Sequence, residues 1–321
     1  MAQLVLAVGS SHGPSIQISP DQWPRLGEGD TRDPRFNFQE LLKQAKPGLD
    51  REIVPEVQRV RHAAAHAALK VLTDIVNEAR LDVVVVISNI HRVRPADHHP
   101  VFGVFRAESF PVVKRDDQPF DPDARFVSDE KRARERNLAD APGHAALANY
   151  LIENLIADDF DVACLDRLHD GAALDDAFTF PYEWLFGGRR IPSVPFLLSR
   201  DLPNQATPRR CHAVGIELGR LIRAFPGDAR VGLVASGGLS HQVLDEELDR
   251  QVVDALAAGT PEALYGLDRA RLNRGPGTPE ILNWIAVAGA MAPARMTLVD
   301  YVPAYRSLAG TGHGLTFGYW R

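Results

Sequence analysis

The stretch Val83-Val-Val-Val-Ile87, followed by Ser88-Asn89-Ile90-His91 and preceded by a long segment opening at Pro55, decides the fold. Five β-branched residues in a row, bounded by polar residues, read as a strand buried on both faces. Ahead of it Val57, Val60, Ala64, Ala67, Val71 and Ile75 recur every three or four residues, the period of an amphipathic helix with proline at its start. Working outward, Leu4–Val8, Val162–Leu165, Val194–Leu198 and Val231–Ala235 read as further buried strands. Helical periodicity returns in Leu147, Leu151, Ile152, Leu155 and Ile156, and again in Val214, Leu218, Leu221 and Ile222. This alternation predicts an α/β fold with a largely parallel central sheet flanked by helices, its chemistry placed beyond the carboxyl ends of the strands. No internal repeat or Gly/Ser/Pro-rich linker divides the chain, so residues 1–321 read as one domain. Two segments, 13–50 and 107–143, lose hydrophobic periodicity and read as irregular, and the C-terminal stretch with Tyr305, Arg306 and Thr311 reads as irregular and Gly-punctuated.

Composition narrows the functional classes. The 36 Lys+Arg against 42 Asp+Glu give a net charge of −6, unsuited to nucleic acid or an anionic membrane. Two cysteines exclude a disulfide scaffold and a thiolate zinc cluster, and suit a reducing cytoplasm. Cys164 falls in a strand core by pattern and Cys211 in a helix. Met1-Ala2-Gln3-Leu4 carries no basic region before an apolar stretch, and the apolar runs are too short for a bilayer. The expectation is a soluble, cytoplasmic protein.

Three histidines follow strand ends. His12 comes after Gly9-Ser10-Ser11, His91 after Ser88-Asn89-Ile90, and His241 after Ser236-Gly237-Gly238-Leu239-Ser240. Any one alone reads most simply as a loop histidine; three at strand ends point to a shared site. The glycine pair permits close backbone approach, but no Gly-Lys-Ser/Thr follows and no Gly-x-Gly-x-x-Gly follows the first strand, which argues against nucleotide binding. Thr278-Pro279-Glu280 opens an apolar helix, Ile281 to Met291, with Thr as N-cap and Pro in first position. Thr260-Pro261-Glu262 repeats the device, so Glu280 reads either as helix-start chemistry or as a site carboxylate that Gly275-Pro276-Gly277 lets approach closely. His62 and His66 have helical i, i+4 spacing without the His-Glu-x-x-His pattern; His98 and His99 read as polar loop; His144 opens a helix and His212 lies in one. His169 and His313 fall in loop-like segments that face either a cleft or solvent. Two His and one carboxylate with open positions is the arrangement of non-haem Fe(II) oxygenases, and a third His would be left for acid–base work.

Longer motifs keep a common order: Gly9-Ser-Ser-His-Gly-Pro14, Pro203-Asn-Gln-Ala-Thr-Pro-Arg-Arg-Cys211, Ala235-Ser-Gly-Gly-Leu-Ser-His-Gln242, Pro279-Glu-Ile-Leu-Asn-Trp284, Val299-Asp-Tyr-Val-Pro-Ala-Tyr-Arg-Ser307 and Ala309-Gly-Thr-Gly312. In these the chain resembles the class III extradiol ring-cleavage dioxygenases of the protocatechuate 4,5-dioxygenase catalytic-subunit superfamily, in particular the 3-O-methylgallate dioxygenase type. The resemblance implies a single α/β domain holding Fe(II) through His12, His91 and Glu280, with His241 as acid–base group. It places Tyr305, Arg306 and Thr311 near a substrate cleft, Arg306 either offering its fork to substrate or tying down the tail in a salt bridge. Two departures stand out. Ile90 precedes His91 where a polar residue is usual, and Asp176 stands where a second active-site His is expected. His169, seven residues earlier, is the candidate to replace that His. Asp176 either reaches the cleft, disfavouring a substrate carboxylate there, or is a solvated loop residue beside Asp175. The implied activity is O2-dependent extradiol cleavage of a catechol- or gallate-type ring, with a small aromatic diol and O2 as partners and a homodimer as the expected assembly. Two alternatives stay open: a metal-binding protein on the same scaffold without oxygenase activity, and a zinc hydrolase.

Overall fold

The computed structural model describes residues 1–89, 100–113, 138–167 and 174–321. His91, His98, His99 and His169 lie outside the described residues. Among the described residues a nine-stranded sheet runs in the order β10 (Thr297–Tyr305), β11 (Thr311–Trp320), β1 (Gln3–Ser10), β8 (Arg230–Ser236), β2 (Val83–Asn89), β7 (Ser193–Leu198), β3 (Phe102–Phe105) and β6 (Ala163–Leu165), with β9 (His241–Val243) added against β11. The centre is parallel as expected: β1, β8, β2 and β7 all run the same way. Antiparallel pairs join β3 to β7 and join β11 to β1, β9 and β10.

Strict alternation within the valine run divides it between two cores. Val83, Val85 and Ile87 pack on one face with the helices Ala145–Ala157, Pro208–Ala224, Glu246–Ala258 and Ile281–Met291. Val84 and Val86 pack on the other with the helix Pro55–Ala79. A strand covered on both sides has no solvent face, which is why its sequence shows no polar alternation.

Four expectations need correction. The C-terminal stretch, read from sequence as irregular and Gly-punctuated, is the β10–β11 hairpin, with β11 inserted between β10 and β1. Residues 13–50 carry four short helices, Pro14–Gln17, Trp23–Asp30, Phe38–Lys43 and Leu49–Glu52, anchored by the fully buried Trp23. Within 107–143, the described ends pair as β4 (Ser109–Val113) and β5 (Leu138–Pro142), a separate two-stranded sheet. Cys164 is exposed rather than core because β6 is an edge strand, whereas Cys211 is buried in its helix. Among the described residues no helix is long and apolar enough to cross a membrane.

Because β1, β2, β7 and β8 are parallel, their carboxyl ends share one edge of the sheet. His12, Arg200 and the Ser236–His241 turn emerge there, beyond β1, β7 and β8.

Candidate metal centre

Glu280 is the hub of that edge. It ends a short 3-10 turn, Thr278–Glu280, that leads directly into the helix Ile281–Met291, and its carboxylate is 0% exposed. Oε2 accepts the backbone N–H of Gly238 at 2.7 Å. Around Oε1 stand His241 Nε2 at 3.4 Å, Arg200 Nη1 at 3.7 Å and His12 Nε2 at 4.0 Å. Glycine makes this convergence possible at two positions. Gly237 has φ of +108°, and a Cβ there would run into the Glu280 carboxylate; a Cβ on Gly277 would run into the His241 ring. Thr278 is not the N-cap that the sequence suggested. Gly277 occupies that position, and the Thr278 hydroxyl instead accepts the backbone N–H of His241 at 3.3 Å.

Partners fix the tautomers of both histidines. The Ser236 hydroxyl spends its proton on the Ala177 carbonyl at 2.5 Å, so it accepts from His12 Nδ1–H at 3.0 Å. His241 Nδ1 lies 3.0 Å from the Leu239 carbonyl, which can only accept. Each ring therefore presents its Nε2 to the same carboxylate. Orienting a ligand histidine through its other nitrogen is the usual second layer of a metal site. His12 Nε2 and the buried Glu280 Oε1, 4.0 Å apart, lie within the span of two ligands each about 2.1 Å from one divalent ion of the first transition row, and His241 Nε2 stands beside them, 3.4 Å from the same oxygen. Among the described residues no group of three His, Cys, Asp or Glu is closed enough to count as a metal cage.

His313, which the sequence left between cleft and solvent, is buried in β11 with its ring centroid 5.3 Å from that of His241. Burial drives its pKa well below the ordinary value, and Arg306, His241 and His12 push the same way, so it stays neutral. Its Nδ1 pairs with the Ser15 hydroxyl at 2.7 Å. Arg200 and His313 are site residues that sequence reasoning missed or left undecided. The available signals were that Arg200 follows the strand Val194–Leu198 and that His313 sits between two glycines.

The remaining candidates are placed less centrally. Arg306 is 4% exposed and forms a bidentate pair with Asp30, Nε to Oδ2 at 2.6 Å and Nη2 to Oδ1 at 2.8 Å, tying the helix Trp23–Asp30 to the β10–β11 connection. Tyr305 donates its hydroxyl to Glu246 at 2.6 Å, and the buried Thr311 hydroxyl pairs with that of Ser307 at 2.6 Å. Asp176 is exposed in the first turn of the helix Asp176–Phe180, while Asp175 is buried as its N-cap and accepts from Ala177 N–H at 3.2 Å. The Arg306 pair yields a stability prediction. Arg306→Met strands a buried carboxylate, so it should cost about 3–5 kcal/mol in urea unfolding, and adding Asp30→Leu should recover much of that. An unchanged urea midpoint in Arg306→Met would show that the pair is not holding the hairpin.

Asp249 yields a second. Burial raises it to about 7, against the pull of the Ser240 and Tyr301 donors. Between pH 4 and 7 the folded chain then keeps a proton that the unfolded chain releases, so stability falls as pH rises through that window. A rise of roughly three pKa units from the ordinary carboxyl corresponds to about 4 kcal/mol. Asp249→Asn removes the effect, so its stability should gain on that of the parent from pH 4.5 to 7.5. Parallel curves for the two proteins would rule out a raised Asp249.

A family model described as the catalytic LigB subunit of aromatic ring-opening dioxygenase matches residues 51–316. A gallate dioxygenase of Pseudomonas putida is 30% identical over 187 residues, covering 54% of this chain and 54% of that protein, so the match spans about half of that relative's length. A 2,3-dihydroxyphenylpropionate/2,3-dihydroxicinnamic acid 1,2-dioxygenase of Cupriavidus necator is 26% identical over 224 residues, 53% of this chain and 70% of that protein.

Proposed function

The chain belongs to the family of catalytic LigB subunits of aromatic ring-opening dioxygenases, and from that premise we propose that it cleaves a catechol- or gallate-type ring beside its two hydroxyls, inserting both atoms of O2. The observation that carries this reading is the convergence of His12 Nε2 and His241 Nε2 on one buried carboxylate, each ring held through its Nδ1. His12 and Glu280 would hold Fe(II), with His91 as third ligand. When bound, the iron supplies the one-electron chemistry that a closed-shell ring needs to react with O2, and a common anchor for the reactants.

The chain's own residues do the rest. His241, 9% exposed and with Nδ1–H committed to Leu239, offers Nε2 to take a proton from a substrate hydroxyl. Ser236 and Leu239 keep the two rings from rotating. A neutral His313 adds no positive charge to a pocket that already contains Arg200. Arg200 beside Glu280 favours a substrate that arrives as an anion, either a catecholate or a ring carboxylate.

The test is O2 uptake by Fe(II)-loaded protein across catechols, gallates and methoxylated relatives, with the zinc-loaded protein as control. Expected is one O2 consumed per ring opened, with iron alone. Substrate binding without O2 uptake would favour a metal-binding protein that no longer oxygenates, and turnover with zinc would favour a hydrolase.

A further inference from the structure

Beneath the site lies a buried carboxyl that the ring-opening reading does not use. Asp249, on the helix Glu246–Ala258, is 0% exposed. Its Oδ1 accepts the backbone N–H of Ser240 at 2.7 Å; its Oδ2 accepts the Ser240 hydroxyl at 2.6 Å and the Tyr301 hydroxyl at 2.8 Å. The N–H of Ser240 and the carbonyl of Leu239 are the two ends of one peptide group. That carbonyl is the acceptor for His241 Nδ1–H at 3.0 Å. A single peptide plane is therefore gripped from both sides, by a carboxyl on its N–H and an imidazole on its C=O.

Hydrogen bonds in a chain polarise one another. A carboxylate drawing on the Ser240 N–H makes the Leu239 oxygen a stronger acceptor, which holds Nδ1–H more firmly. We propose that Asp249 is a positioning residue that fixes the tautomer and orientation of His241 through the Leu239–Ser240 peptide. It takes the part that a directly bonded carboxylate plays for many functional histidines, at one peptide's remove.

Two further observations support the assignment. Space for the carboxyl depends on Gly314, where a Cβ would collide with Asp249 Oδ2. Gly314 follows His313, the residue paired with His241 in the β9–β11 register, so the same carboxyl braces both histidine-bearing strands. Asp249 is also held at a cost to stability, since burial raises it to about 7. A destabilising group kept beneath a site points to function rather than to packing.

The inference rests on His241 as the acid–base group, and the experiment keeps the two readings apart. Protein labelled with 15N-histidine and free of paramagnetic metal is compared at pH 8 as parent, Asp249→Asn and Asp249→Ala, with His241 assigned by difference from His241→Gln. The parent should show one Nδ1–H tautomer. Asp249→Ala should show mixed tautomers, with iron content and KM retained and kcat lower by about 10–100-fold. Asp249→Asn keeps an acceptor without the charge and should fall between, a partial rescue that a purely structural role does not produce. A folded Asp249→Ala with unchanged His241 ring shifts and unchanged kcat overturns the proposal. If Asp249→Ala does not fold, unchanged ring shifts in Asp249→Asn overturn it equally. If the parent opens no ring at all, the ring-opening reading fails while the nitrogen shifts still decide for or against Asp249.

Discussion

Glu280→Gln should lose the thermal stabilisation that Fe(II) gives the parent, and with it all measurable ring opening. The substitution keeps the shape and retains an oxygen to accept the Gly238 N–H, now at 2.7 Å from the carboxylate. What it removes is the negative charge around which His241, Arg200 and His12 gather. Without that charge, a divalent ion would enter the pocket beside the Arg200 guanidinium with no Glu280 carboxylate to offset the repulsion. A ligand at a hundred times its dissociation constant stabilises a fold by about 2.7 kcal/mol, a shift well within thermal measurement. A full iron-induced shift in Glu280→Gln would remove Glu280 from the metal centre and leave only its role at the start of the helix.

The sequence showed more of the sheet's centre than of its edge, and more of the candidate site residues than of what orients them. Val83–Ile87 was legible because a strand buried on both faces needs no partner information to be recognised. β11 was not: Gly312, Gly314 and Gly318 interrupt its apolar pattern, and they are glycines because other elements pack against them. Glu280 stayed ambiguous because a helix start favours a carboxylate for reasons independent of function. Arg306 was undecided for a related cause. Its partner Asp30 lies 276 positions away in the chain, and nothing in the local pattern marks it. Asp249 was invisible for the same reason, since its meaning lies in a peptide group that only the folded chain brings to it. Strand ends can be located by pattern, whereas hydrogen-bond partners that are distant in sequence cannot.

His241→Ala should keep stoichiometric iron and the iron-induced thermal shift, yet turn over roughly 10²–10⁴-fold more slowly. The geometry alone leaves His241 two possible employments, because its Nε2 faces Glu280 at 3.4 Å, closer than His12 Nε2 at 4.0 Å. What separates them is the environment of each ring. His12 is held by the Ser236 hydroxyl at the end of the central strand β8, in a chain that closes on the Ala177 carbonyl, and so has little freedom to move. His241 hangs from its own turn, bonded to the carbonyl two residues before it, with Gly277 leaving room for its ring edge. A group that must accept a proton and later return it benefits from that local tether, whereas a ligand benefits from the rigid strand. Substrate affinity should change little in His241→Ala, since the lost interaction is one made as the proton moves. Loss of iron from this variant would instead make His241 a ligand, and undiminished turnover would remove it from the chemistry altogether.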